Sequence, residues 1–156
     1  MIVTEIVGNV SELSADDARE RDFVILDNEA RLKRIQRVTT EAGREVGLRL
    51  DTDVREIVDG DILGEDDGTL IVAKISPDDV LVIQPRTITE ALEVAHALGN
   101  RHLQAQFFDG SGPVEGEAMV VRYDHTVEHF LEHMAVPYHR GEYVMPKAFR
   151  HAEHTH

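Results

Sequence analysis

The stretch Asp78-Asp79-Val80-Leu81-Val82-Ile83-Gln84-Pro85-Arg86-Thr87-Ile88-Thr89-Glu90 decides how this chain is read. Val80–Ile83 is an unbroken apolar, largely β-branched run, which fits a strand buried on both faces and ended by Pro85. Thr87 and Glu90 then stand at capping-box spacing, the threonine able to accept from the amide three residues on and the glutamate able to reach back. Ile88, Ala91, Leu92, Ala95 and Leu98 follow with helical periodicity, and Gly99 is expected at the left-handed C′ position that ends such a helix. Strand gives way to helix within seven residues.

Working downstream, Leu103–Phe108 reads as a strand, Asp109-Gly110-Ser111-Gly112-Pro113 as a loop and Glu117–Tyr123 as another strand. Asp124 is the expected N-cap of a second helix with Val127, Phe130, Leu131 and Met134 on its apolar side, stopped before Pro137. A short last strand is expected near Glu142–Met145. The order β-α-β-β-α-β is the ferredoxin-like arrangement. From Pro146 onward a mobile tail is expected, ending His151-Ala-Glu-His154-Thr-His156.

Upstream the pattern is different. Met1–Val7, Asp22–Leu26, the alternating Val46, Leu48 and Leu50, and Leu70–Ile75 read as short strands. Asp59-Gly60-Asp61 and Glu65-Asp66-Asp67-Gly68 punctuate them as turns. Arg31–Thr40 is ambiguous, because Leu32, Ile35 and Val38 recur every third residue, and is assigned to the mostly β region. Ser76-Pro77-Asp78-Asp79 is the best boundary. The expected class is α+β: a small N-terminal β domain over 1–76, a ferredoxin-like domain over 77–145 and a short histidine-containing tail over 146–156.

Composition narrows the chemistry. None of the 156 residues is cysteine, so disulfides, thiolate nucleophiles and Cys-type zinc sites are excluded together. No apolar run approaches the ~18–20 residues that span a bilayer, and the start lacks a signal-peptide pattern, so the cytoplasm is the expected location. The net charge of −14 argues against nucleic acid and anionic membrane as partners.

All nine histidines lie in the last 61 residues: His96, His102, His125, His129, His133, His139, His151, His154 and His156. Neutral imidazole is the commonest side-chain ligand of borderline divalent metals, so the second half is expected to handle Ni(II), Zn(II) or Cu(II). His102 falls just past a helix C-terminus, whose partial negative charge favours a cation nearby. The segment His151–His156 has the composition of a capture arm, although such tails also bind metal adventitiously. His125, His129 and His133 share one side of the second helix and create two overlapping H-x-x-E-H matches, the pattern of a zinc peptidase with a glutamate base. A solvated charged helix face produces the same spacing.

The run Ala97-Leu98-Gly99-Asn100-Arg101-His102-Leu103-Gln104-Ala105-Gln106 resembles the G-N-R-H segment of the UreE family of urease accessory nickel metallochaperones. Tyr123-Asp124-His125-Thr126-Val127 followed by Met134 is similar to that family's second segment, and Asp59-Gly60-Asp61-Ile62-Leu63 to the turn of its first domain. The likeness runs along essentially the whole chain. It implies a non-enzymatic homodimer that delivers Ni(II) to apo-urease, with His102 and its symmetry mate around one shared ion. It further implies that His151, His154 and His156 complete or feed that site and that His125 is an auxiliary position. Zn(II) or Cu(II) would bind in vitro. The first domain would be similar to a chaperone peptide-binding domain and would contact partner proteins, namely urease apoprotein and the accessory proteins including the accessory GTPase. The competing readings are a zinc hydrolase on the His125–His133 face and an interaction domain with adventitious metal affinity.

Thirteen arginines stand against three lysines, Lys33, Lys74 and Lys147. Abundant carboxylate with scarce lysine fits a protein kept soluble at high salt, and equally an ordinary acidic protein. Thermal melts separate these: a melting temperature that climbs from low to molar salt marks the first, and a flat profile eliminates it.

Overall fold

The computed structural model describes residues 1–150, and His151, His154 and His156 lie outside the described residues. Among the described residues the mixed α+β chain forms eleven strands in three sheets and three helices. It divides into two compact units, one of Met1–Ser76 with Pro146–Ala148, the other of Pro77–Met145 with the chain from Phe149.

Unit 1 contains β1 (Ile2–Val3), β2 (Gly8–Asn9), β3 (Arg21–Leu26), α1 (Asn28–Leu32), β4 (Ile35–Thr39), β5 (Glu45–Arg49), β6 (Asp61–Asp66) and β7 (Thr69–Ile75). They pair as a three-stranded sheet β1-β5-β4 and a four-stranded sheet β2-β6-β7-β3. The ambiguous segment resolves into both structures. Asp27 caps a single helical turn by accepting from the amide of Ala30, and Ile35–Thr39 then pairs antiparallel with β5. Likewise Met1–Val7 is strand only over Ile2–Val3, which pair with β5, while Val7 donates its amide to the Ile62 carbonyl of β6 at 2.9 Å.

Alternation on β5 buries Val46 and Leu48 against Val24, Leu26, Ile71, Ala73 and Ile75. β7 is covered on both faces, since Leu70 and Val72 join Ile62 in a second cluster. Each such Val, Leu or Ile contributes about 1.5–3 kcal/mol over its exposed state. Asp67 and Gly68 both have positive φ, the backbone a two-residue hairpin needs between β6 and β7.

Buried acids organise the turns. The Asp61 carboxylate, fully buried, accepts from Arg55 at 2.8 and 2.9 Å, from the amide of Val58 at 2.8 Å and from Asn9 at 3.0 Å. Gly60, at φ +86°, makes the turn that delivers it. Asp22 is the second hub. Burial pushes its carboxyl up, but donation from Thr40, Arg44 and the amide of Ala42 outweighs that and holds it below the usual range.

Unit 2 contains β8 (Asp78–Ile83), α2 (Ile88–Asn100), β9 (Ala105–Asp109), β10 (Glu117–Arg122), α3 (His125–Met134) and β11 (Tyr138–Tyr143). Sheet order β11-β8-β10-β9, with every neighbouring pair antiparallel, is the ferredoxin-like order expected. Leu81 and Ile83 face the helices with Val94, Leu98, Val127 and Leu131. Val80 and Val82 face the other side with Val120, Met145 and Phe149. The last strand lies earlier than Glu142–Met145, because β11 pairs from Tyr138 opposite Ile83 to Tyr143 opposite Asp78. The stretch expected to be free from Pro146 is packed as far as Phe149, which is 3% exposed. Phe149 joins Val114 and Met145 in covering the side of the sheet that the helices leave open.

Replacing Asp61 by Ala leaves the amide of Val58 without its acceptor and strips Arg55 of its buried partner. The expected cost is about 2 kcal/mol of unfolding free energy, read by denaturant titration; a wild-type midpoint would mean that water replaces the carboxylate fully.

Candidate metal centre

The end of α2 is built differently from the sequence expectation. Gly99 does not take the C′ position; the helix continues through Asn100, Arg101 is the C-cap, and His102 itself adopts the left-handed conformation at φ +56°. The His102 amide donates to the Gly99 carbonyl at 3.0 Å and the Leu103 amide to the Leu98 carbonyl at 3.5 Å. That pair of bonds is the Schellman closure, and its apolar contact is supplied by Leu98 and Leu103 in one cluster. Leu103 is drawn to the core, so the residue before it must turn. His102 is exposed at that turn.

A cavity of about 210 Å³ opens beside it, lined by His102, Leu103, Gln104, Arg122, Tyr123, Asp124, Phe149 and Arg150. Three segments distant in sequence therefore meet: the end of α2, the start of α3 and the chain leaving the sheet at Phe149. Arg150 immediately precedes His151. The sequence reading missed this participation of Arg122, Phe149 and Arg150; the signal available was Phe149, an apolar residue in a stretch otherwise read as a tail.

Asp124 fixes the start of α3. Its carboxylate accepts from the Thr126 hydroxyl at 2.6 Å and amide at 2.8 Å, and these bonds hold it below the usual carboxylate range. Arg101 lies over the Phe130 ring at 4.9 Å, tying the end of α2 to α3. Arg140 stacks on Tyr123 at 3.5 Å while pairing with Asp79 at 2.7 Å. These contacts set the cavity wall.

The remaining histidines separate. His125, the auxiliary candidate, is exposed at the first position of α3, next to Asp124 but not in the cavity lining. His129 and His133 are exposed along the same helix. His96 lies within 3.4 Å of Asn100, and His139 within 3.0 Å of the Tyr143 hydroxyl. Among the described residues, no three His, Asp or Glu side chains are grouped to hold a metal ion.

The glutamates of the overlapping H-x-x-E-H motifs are engaged elsewhere. Tyr138 donates to Glu132 at 2.8 Å and to Glu128 at 3.3 Å, and Tyr123 also donates to Glu128 at 3.3 Å. Hydrogen bonding to Glu132 is the main cause that raises the Tyr138 phenol well above its ordinary range. The zinc-hydrolase reading is not favoured: both carboxylates it requires as bases accept from tyrosines that pack the helix down.

The family models for UreE urease accessory protein match along the chain, the N-terminal domain over residues 3–76 and the C-terminal domain over residues 78–156. The chain belongs to the UreE family. It is similar to the urease accessory protein UreE of Corynebacterium urealyticum, at 53% identity over the whole of both chains. Those of Paenarthrobacter aurescens and Arthrobacter sp. (strain FB24) are 52% and 50% identical, again over the full length of each. UreE proteins are accessory chaperones rather than enzymes, which agrees with the resemblance of the Gly99–His102 segment. No helix among the described residues is long and apolar enough to cross a membrane.

A non-glycine residue in the left-handed region carries a conformational cost of about 1–2 kcal/mol. His102→Gly is therefore expected to leave the metal-free protein as stable as wild type, or more stable by about 1 kcal/mol, in denaturant titration. A clear loss would show that the imidazole serves packing.

Proposed function

We propose that this protein carries Ni(II) as cargo and delivers it to apo-urease during maturation of the urease active site. The observation that supports the reading is the cavity that His102 and Arg150 line together, Arg150 being the residue that precedes His151 in the sequence. A carrier must hold its ion and then release it. Imidazoles from separate chain segments suit that, because each exchanges in turn and nickel's other positions stay open to water or an incoming ligand. Tethering also raises their effective concentration into the millimolar range typical of short linkers.

In this reading the active species is a homodimer, with His102 and its partner's equivalent around one ion. Exposed apolar side chains on unit 2 support a self-association face. Ile88 and Leu92, one turn apart on α2, are 80% and 65% exposed, and Phe107 on the edge strand β9 is 70% exposed. His151, His154 and His156 complete or feed the site, and His125 is an auxiliary position. Zn(II) and Cu(II) occupy the same ligands in vitro, since affinity follows the Irving–Williams order. Unit 1 recognises partners, which are urease apoprotein and the urease accessory proteins including the accessory GTPase, in the cytoplasm.

Calorimetric titration of Ni(II) into the metal-free full-length dimer tests this. His102→Ala is expected to remove the tight site, weakening binding at least about tenfold, or ~1.4 kcal/mol. Deleting residues 151–156 lowers stoichiometry or affinity, and His139→Ala changes neither. Protons compete for imidazole, so binding weakens in acid. An unaltered titration for His102→Ala sinks the mechanism.

A further inference from the structure

The outer face of the β1-β5-β4 sheet is the part of unit 1 that its core does not use. Alternation puts Val3, Val46, Leu48 and Val38 inward and leaves Ile2, Gly47, Arg37, Ile35, Arg49, Thr39 and Glu45 outward. In register, Ile2 faces Gly47 and Gly47 faces Arg37, while Ile35 faces Arg49 one step along. Gly47, the middle residue of the middle strand, carries no side chain, so the face is hollow where a sheet normally bulges. Two cavities of about 370 and 280 Å³ share Ile2, Arg37 and Gly47 and run together as one groove along β5. Its apolar walls are open to water, with Ile2 66% and Ile35 77% exposed.

Charge gives this groove a direction. Residues 31–49 hold six of the sixteen Lys and Arg but only two of the thirty Asp and Glu, a local charge of +4 in a chain of −14. Three of the six are committed to structure. Arg31 donates to the Ile57 carbonyl, Arg34 to those of Asp51 and Val54, and Arg44 pairs with Asp22 and Asp66. Arg37 and Arg49 are exposed at the groove and belong to none of the ion pairs found among the described residues. Glu45 marks the groove's opposite end. The two arginines stand on adjacent strands one side-chain period apart, about 7 Å along the strand, which is the distance between alternate side chains of an extended peptide.

We infer that this groove binds an extended acidic segment of a partner protein, with carboxylates on alternate residues meeting Arg37 and Arg49 and the peptide backbone lying close over Gly47 between Ile2 and Ile35. Arginine suits this pairing because its planar fork takes a carboxylate bidentately. The inference rests on the partner-recognition role proposed for unit 1 and names the surface and the chemistry of what it recognises.

Fluorescence anisotropy of the full-length protein tests it, using labelled peptides that alternate leucine with glutamate, glutamine or lysine. The glutamate peptide is expected to bind at least about tenfold more tightly than the lysine peptide, with an affinity that falls as salt rises. Arg37→Glu with Arg49→Glu removes that preference; if the double reversal does not fold, Arg37→Gln with Arg49→Gln loses about tenfold. Gly47→Ile keeps both charges and fills the hollow. A Cβ there meets only the Met1 carbonyl at 3.8 Å and Ile2 Cγ1 at 3.9 Å, so the fold accepts it while peptide binding is lost. Equal binding of the acidic and basic peptides, or wild-type affinity in the charge-altered variants, overturns the proposal. So does a drop in oligomeric state on Ile35→Asp, by sedimentation, which would assign the groove to a second copy of the chain. Co-elution of the wild-type protein with apo-urease is measured separately. Its failure while the glutamate peptide still binds removes the partner role and leaves the groove; intact co-elution without peptide binding does the reverse.

Discussion

Burial of β8 on both faces is the constraint from which unit 2 follows. Val80, Leu81, Val82 and Ile83 are each completely shielded from solvent, so the sheet needs a layer on either side. Leu81 and Ile83 demand the helices, and α2 and α3 answer with Val94, Leu98, Val127 and Leu131. Val80 and Val82 demand a second cover, which no helix of the unit supplies. The chain after β11 does so instead, through Met145 and Phe149. The same packing requirement therefore brings both the end of α2 and the departing chain to the His102 cavity.

The two units present different exposed surfaces. In unit 2, Arg140 on β11 is held to Asp79 and stacked on Tyr123, while α2 and β9 expose Ile88, Leu92 and Phe107. In unit 1 the β1-β5-β4 sheet leaves an outer face with bare isoleucines and unneutralised arginine. A surface that exposes apolar walls and scarce positive charge in so acidic a molecule departs from what solubility alone favours. The two surfaces accord with the division of labour proposed above, in which unit 2 handles the metal and unit 1 recognises proteins.

Much of this was legible in the sequence, and the failures are instructive. Thr87 and Asp124 cap their helices as read, because side-chain capping is a local interaction between residues two or three apart. The β-α-β-β-α-β order followed from periodicity alone. Glycine is the statistical choice for a left-handed turn, which points to Gly99, whereas the demand to bury Leu103 against Leu98 sets the position three residues later. Phe149 was misjudged for a related reason: its burial depends on the uncovered face of a sheet formed by residues about thirty to seventy positions earlier. Arg31–Thr40 split into helix and strand because pairing with β5, a tertiary event, outweighs a weak period of three.

The left-handed backbone at His102 restricts more than helix length. Few side chains tolerate that region; asparagine, aspartate and histidine enter it several-fold more readily than the rest, while β-branched and bulky residues are outliers there. The position thus narrows which side chains can stand at the end of α2. Of the residues enriched there, only histidine offers a neutral ring nitrogen with a lone pair. Helix closure acts as a steric sieve that leaves imidazole as the natural occupant of the turn.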